Sequence, residues 1–221
     1  MKIKINAAVL ICCATLEAIT VAPSTTLFEN DQVKVLRALE KPHVKGDFHE
    51  HKLNRVMIYL QSGRQRFEYQ DGRPPEVFEW KAGEVQWSGA DGMHSPEVIG
   101  NNPFNIIEVE LKKPSTGQAV GGSLDPIKID PKHYHLEFEN SQVRVFRVKI
   151  EAHGTVPMHQ HSLNRITVFL TDQEFRVKSS DGKVETMKHK AGEAVWGTPT
   201  THTEENLSDS PFEVVAVEIK S

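Results

Sequence analysis

The sequence predicts an all-β protein built as two small barrels or sandwiches in tandem. Three observations predict it: a long internal duplication at a fixed offset, short β-prone segments set between turn signals, and the lack of helical periodicity after residue 25.

The duplication organises everything else. Phe28-Glu29-Asn30-Asp31-Gln32-Val33-Lys34-Val35-Leu36-Arg37 matches Phe138-Glu139-Asn140-Ser141-Gln142-Val143-Arg144-Val145-Phe146-Arg147 at an offset of 110, with seven of ten residues identical. At the same offset His49-Glu50-His51-Lys52-Leu53-Asn54-Arg55 matches His159-Gln160-His161-Ser162-Leu163-Asn164-Arg165, and Asp71-Gly72 matches Asp181-Gly182. One deletion later Lys81-Ala82-Gly83-Glu84 falls on Lys190-Ala191-Gly192-Glu193 and Trp87 on Trp196; a further deletion brings His94 onto His202 and Pro103-Phe104 onto Pro211-Phe212. The units are assigned to residues 25–112 and 125–221. Between them the Gly/Ser/Pro-rich stretch 113–124 reads as a flexible linker.

Within each unit, β-branched and aromatic residues recur in short runs. Gln32 to Leu39, Arg55 to Gln61, Gln65 to Gln70 and Asn105 to Leu111 are strands of the first unit; Arg165 to Thr171, Glu174 to Lys178 and Phe212 to Ile219 belong to the second. Asp71-Gly72 and Asp181-Gly182 are hairpin turns, because glycine takes a positive φ without a steric penalty. Strands this short at this spacing form a sandwich or barrel.

Composition excludes several function classes. The net charge is -4, with no basic stripe, which argues against nucleic acid as the partner. Both cysteines, Cys12 and Cys13, precede the repeat, so the repeated body offers no thiol ligand or nucleophile. Lys2 and Lys4 followed by the apolar stretch Ala7 to Leu16 resemble a secretory signal, which would place the protein in the periplasm or outside the cell; without a signal the expectation is cytoplasmic, and the bland reading of residues 1–24 is an N-terminal strand. The run is too short to span a membrane as a helix.

Eight of the eleven histidines fall into aligned pairs: His43 with His153, His49 with His159, His51 with His161, and His94 with His202. A His-x-His pair on a strand turns both imidazoles to one face, and a third histidine can arrive from a neighbouring strand. Three converging imidazoles suit a divalent ion such as Zn, Mn, Fe, Ni or Cu. Seen once, His-x-His is weak; repeated within matched flanks it is stronger. The bland alternative is that duplication alone copied structural histidines.

This pattern resembles the cupin superfamily, whose motifs have the forms G-x5-H-x-H-x3,4-E-x6-G and G-x5-P-x-G-x2-H-x3-N. In the second unit Gly192-Glu193, Pro199, His202 and Asn206 follow the second motif. In the first, Gly83-Glu84 and His94 follow it, without the proline and asparagine, and Gly63 conforms to the first motif. The resemblance implies a double-stranded β-helix, or jelly-roll barrel, in each unit, a divalent metal on His49, His51 and His94 and another on His159, His161 and His202, a small-molecule substrate, and pairing of chains into a homodimer.

The sequence departs from the family where the motif glutamate belongs. Arg55 and Arg165 stand there, followed by Val56 and Ile166. Strand parity puts the arginines on the histidine face, where they repel a metal but hold an anionic substrate in bidentate fashion; a bulge would turn Val56 and Ile166 inward instead. Leu53, Met57 and Tyr59, with Leu163, Thr167 and Phe169, share that face as barrel lining. Trp87 and Trp196, upstream of the third histidine, are candidates to stack on a ligand or to fill the core. Two functions remain open: a metal-dependent dioxygenase or isomerase acting on a small polar organic molecule, and a non-catalytic binding module for a sugar or small acid. In a third reading only one barrel is active; the proline and Asn206 favour the second unit as the intact site.

Overall fold

The computed structural model describes residues 24–117 and 120–220. The signal-like stretch and both cysteines lie outside them. Nine strands form the first half: β1 (Thr25–Glu29), β2 (Val33–Glu40), β3 (His49–His51), β4 (Arg55–Tyr59), β5 (Gly63–Tyr69), β6 (Glu76–Trp80), β7 (Val85–Ser88), β8 (Asp91–Val98) and β9 (Phe104–Leu111). A single helical turn, α1 (Pro126–Ile129), follows. Nine more strands complete the fold: β10 (Tyr134–Glu139), β11 (Val143–Ile150), β12 (Thr155–His161), β13 (Arg165–Phe169), β14 (Gln173–Ser179), β15 (Val184–His189), β16 (Ala194–Gly197), β17 (Thr200–Asn206) and β18 (Phe212–Ile219).

The strands pair antiparallel in two matched sets. One half holds a five-stranded sheet in the order β1-β2-β9-β4-β7 and a four-stranded sheet β3-β8-β5-β6; the other holds β10-β11-β18-β13-β16 and β12-β17-β14-β15. Each pair of sheets closes into one barrel, which is the predicted all-β architecture. The expected strands are present with shifts of one to three residues at their ends.

Alternation along the five-stranded sheets determines what each face does. On β4 the residues Arg55, Met57 and Tyr59 face the barrel cavity, while Val56 and Ile58 face out. On β18 Val214 and Ala216 face in, while Val215, Val217 and Ile219 face out. The outward valines and isoleucines of both five-stranded sheets meet in one shared core that joins the two barrels. Both faces of the central strands β9 and β18 are therefore buried almost throughout, whereas the edge strands β1 and β10 are largely exposed.

Paired hydrogen bonds fix this junction. Asn54 donates to Gln142 at 2.5 Å and Asn164 to Gln32 at 2.7 Å; Arg37 donates to the Gly192 carbonyl at 2.6 Å and Arg147 to the Gly83 carbonyl at 2.5 Å. Each contact repeats with the halves exchanged, as a two-fold relation requires. Gly83 (φ 80) and Gly192 (φ 85) occupy the left-handed region at these turns. A Cβ on Gly192 would lie 2.2 Å from the Arg37 guanidinium, so glycine is also what admits that arginine.

The stretch expected to be a flexible linker is tied down where it is described. Thr116 donates through both its backbone N–H and its hydroxyl to the Lys220 carbonyl, and Ser115 bonds the Ser141 carbonyl. Asp125 then caps α1 and receives Arg144 at 2.6 and 2.9 Å.

Candidate metal centres

In each barrel the three aligned histidines meet. His49 and His51 on β3 join His94 on β8, which pairs with β3 so that His49 lies opposite His94; His159 and His161 on β12 join His202 on β17 in the same register. The ligand atoms in each trio lie within 4.8 Å of one another. Ring centroids are 4.7–5.2 Å apart in the first barrel and 4.5–5.4 Å apart in the second. The first trio is partly open, with His49 exposed; the second is buried throughout.

The donor set fits a metal ion. His49 Nδ1 bonds the Asp47 carbonyl at 2.9 Å, His94 Nδ1 the Gly92 carbonyl at 3.1 Å, and His159 Nδ1 the Pro157 carbonyl at 2.9 Å. An Nδ1–H committed to a carbonyl leaves the lone pair on Nε2, the arrangement that second-shell partners impose on metal-binding histidines. His161 Nδ1 donates instead to Glu218 Oε1 at 3.2 Å. Burial depresses the imidazoles: His51 to about 3, with Arg55 and its neighbouring rings adding to the effect, His94 and His159 below their ordinary value, and His161 well below it. Neutral imidazoles are what a metal requires. His202 Nε2 is buried with no hydrogen-bond partner.

The arginines in the glutamate position face inward and line the cavities, although they lie on β4 and β13 rather than on the histidine strands; Val56 and Ile166 belong to the inter-barrel core. Each guanidinium is turned aside by a different device. Arg55 Nε lies 3.2 Å from the buried Glu108 carboxylate and 3.0 Å from Met57 Sδ. Arg165 Nη1 donates to the Thr198 carbonyl at 2.9 Å. Gly197 gives it room, since a Cβ there would meet Arg165 Cζ at 3.0 Å.

The two cavities differ in chemistry. The first measures 630 Å³ and is lined by polar and aromatic groups: Glu40, Gln65, Glu108 and Arg55, with Tyr59 stacked on Trp80 at 4.3 Å. Several of its buried polar atoms lack a hydrogen-bond partner, namely Arg55 Nη1, Gln65 Oε1 and Trp80 Nε1. Burial raises Tyr59, and pushes Glu40 up to about 7 against the hydrogen bond from Gln65. The second cavity measures 420 Å³ and is lined by Phe175 and Ala216 where the first has Gln65 and Glu108; Ile150, in the place of Glu40, packs in the adjoining core.

Other predicted residues are placed as follows. Tyr59, Met57, Thr167 and Phe169 line the cavities. Trp87 and Trp196 border them too, but both pack against the inter-barrel core, so their filling role is the visible one. His43 and His153 sit at φ 57 in turns, bonded to Asn101 and Asp209, away from the clusters. Asn206 ends β17 and is fully buried. Its amide donates to the carbonyls of Ile150, Glu151 and Ser210, which makes it a loop staple.

Sequence reasoning missed three cavity residues, Glu204, Tyr134 and Trp80, and the buried Glu218 beside His161. Glu204 on β17 reaches His202, its Oε1 lying 3.4 Å from His202 Nε2. Burial opposes its charge, yet His202 and the Tyr134 hydroxyl hold it down to about 2. Tyr134 lies 3.0 Å from both Glu204 Oε2 and His159 Nε2. Glu218 and Trp80 complete the set. The period-two spacing of His202 and Glu204 was the available signal.

No family model matches the chain, and no curated protein matches it. Solved structures do match. The crystal structure of AerE from Microcystis aeruginosa overlays with a TM-score of 0.60 at 15% identity, over 90% of this chain and 97% of its own. Oxalate decarboxylase from Bacillus subtilis, described with Mn(II) centres, overlays with a TM-score of 0.61 at 14% identity, over 88% of this chain and 71% of its own. A cupin domain from Bordetella pertussis tohama i matches 40% of the chain with 24% identity and a TM-score of 0.38.

Proposed function

From the premise that this chain has the fold of the cupin superfamily in its two-barrel form, we propose that it is a metal-dependent enzyme of the dioxygenase or isomerase type acting on a small polar organic molecule. The observation that carries this reading is the convergence of three imidazoles in each barrel, with Nδ1 pinned on several of them and the cluster at the wall of a cavity large enough for a substrate. On this reading His49, His51 and His94 hold one ion and His159, His161 and His202 another, and residues 25–112 and 125–221 are separate cupin domains. A divalent ion bound there supplies Lewis acidity and open coordination positions. Manganese is the first ion to test, because the oxalate decarboxylase neighbour is described with Mn(II) centres.

The chain's own residues then bind and orient. Arg55 Nη1 and Trp80 Nε1 are donors without partners and Gln65 Oε1 is an acceptor without one, all buried in residues that line the first cavity. Unsatisfied buried groups are unfavourable unless a ligand or water meets them. They match a molecule carrying a carboxylate and at least one hydroxyl, with the Tyr59–Trp80 pair as a flat wall beside it.

The same observation favours a second reading for the first barrel: a binding module without catalysis, in which the more exposed histidines donate hydrogen bonds. The two are separated by loading chelator-stripped protein with Mn(II), Fe(II), Zn(II) or Ni(II) and following oxygen uptake and isomerisation of a panel of small hydroxy and keto acids. Metal-dependent turnover that disappears in a His159→Ala/His161→Ala or His49→Ala/His51→Ala variant is the expected result. Ligand binding by calorimetry, with no turnover under any metal, would transfer the protein to the second reading.

A further inference from the structure

The first cavity has two ends, and the histidines occupy one of them. Along β5 and β8, Tyr69 pairs with His94 and Gln65 with Val98, so Gln65 stands four residues from the level of the imidazoles. Along β4 the same step leads from Arg55 to Tyr59. At about 3.3 Å per residue the two ends are about 13 Å apart. The far end is polar. Gln65 is 2% exposed and its Nε2 donates to Glu40 at 2.7 Å, but its Oε1 has no hydrogen-bond partner among the described residues. Gln65 pairs with Phe78 and Gly63 with Trp80, so Gln65 and Trp80 are diagonal neighbours on the cavity face. Trp80 Nε1 is also buried without a partner.

We infer that Gln65 and Trp80 bind a hydroxyl group at the tip of the substrate, remote from the end that faces the histidines, so that the first barrel selects its ligand by length and by that terminal group. The inference rests on the small-molecule reading of the first cavity above. An unmet donor beside an unmet acceptor, both buried, calls for a group that accepts and donates at once. A hydroxyl does so with one oxygen: it accepts from Trp80 Nε1 and donates to Gln65 Oε1. An ammonium only donates and leaves Trp80 unmet; a carboxylate only accepts and leaves Gln65 unmet. Burial favours the neutral form of Glu40, which removes the demand for a cationic partner beside Gln65. Tyr59 on Trp80 at 4.3 Å and Phe78 on Trp80 at 5.5 Å form the apolar wall for the carbon chain. Hydrogen bonds of about 3 Å at each end leave about 7 Å between the terminal oxygens of the ligand. A chain extended like a peptide backbone, at about 1.2 Å per bond, spans that distance with about four to six carbons.

The second barrel has no such end. Phe175 stands in the place of Gln65 and Ile150 in that of Glu40. Gln173 pairs with His189 as Gly63 pairs with Trp80, so His189 stands in the place of Trp80, and its ring lies on Phe169 at 4.0 Å. The terminal group is therefore recognised in the first barrel alone.

The test is calorimetric titration of the full chain, with Mn(II) present, using straight-chain carboxylic acids of matched length that end in a hydroxyl, a methyl or an ammonium group. At about five carbons the hydroxyl acid is expected to bind about tenfold or more tighter than its methyl and ammonium counterparts, and the preference is expected to fall for acids much shorter or longer. Trp80→Phe keeps a ring and removes the N–H; Gln65→Leu removes the amide at similar volume. Each is expected to bring the hydroxyl-to-methyl ratio to within about threefold while still binding the methyl acid, which separates loss of recognition from loss of fold. Equal binding of hydroxyl and methyl acids by wild type, tightest binding of the ammonium acid, or an unchanged ratio in both variants overturns the inference and leaves the small-molecule reading standing. A wild-type chain that binds none of the acids at any length overturns both.

Discussion

Glu40 gives a stability prediction that depends on the polar character of the first cavity. It ends β2 and faces that cavity, where Gln65 Nε2 donates to its Oε2 at 2.7 Å. Its place in the second barrel belongs to Ile150, since Glu40 pairs with Phe104 as Ile150 pairs with Phe212. Burial pushes the carboxyl from 4.5 up to about 7; the Gln65 hydrogen bond opposes this and Glu108 adds to it. The folded chain therefore holds a proton that the unfolded chain releases. Between pH 4.5 and 7 the native state binds more protons, so stability falls as pH rises through that window and levels off above it. At 1.36 kcal/mol per pH unit the gap is worth about 3 kcal/mol as a ceiling, and water in the cavity lowers it toward about 1 kcal/mol. Replacing Glu40 with Gln removes the titration and keeps the shape. Urea denaturation of both proteins, metal-stripped, at pH 5 and pH 7.5 reads the effect. The variant is expected to gain about 1–3 kcal/mol on wild type between the two pH values, with other groups cancelling. A difference that stays constant across the window would refute the reasoning.

Three further outcomes are expected. Ile166→Ala, in the shared core between the barrels, should cost about 2–5 kcal/mol by denaturant unfolding, whereas Val77→Ala at an exposed position 48% accessible should change stability by less than about 0.5 kcal/mol. Asn206→Ala should cost about 2–4 kcal/mol, because three carbonyls lose their donor, while metal stoichiometry measured by mass spectrometry stays at the wild-type value. Gln65→Phe, which gives the first cavity the residue the second has at that place, should abolish calorimetric binding of any small hydroxy acid that wild type binds.

Much of the fold was legible because duplication writes the same strand pattern twice, and turn glycines such as Gly72 and Gly182 mark the same hairpin in both halves. The histidine clusters were legible for the same reason. What the sequence left open was the direction of Arg55 and Arg165. Val56 and Ile166 are as apolar as any barrel-facing residue, and only the second barrel packed on the outer face explains why they point away from the cavity. Glu204, Tyr134 and Trp80 escaped because the repeat does not preserve them: Pro96, Ser24 and His189 stand in their places. A comparison between halves finds what the halves share, and the cavities differ in what they do not share. The loop-carbonyl bonds of Asn206 were not legible either, since a motif residue that bonds a loop has the same sequence signature as one beside a metal.

On the proposed function, three imidazoles in each barrel hold one ion. The most direct measurement is an anomalous-difference map from crystals equilibrated with Mn(II), collected above and below the manganese edge. A peak is expected among the Nε2 atoms of His159, His161 and His202 and another among those of His49, His51 and His94. Manganese found only on surface carboxylates, with both imidazole clusters bridged by water, would contradict it.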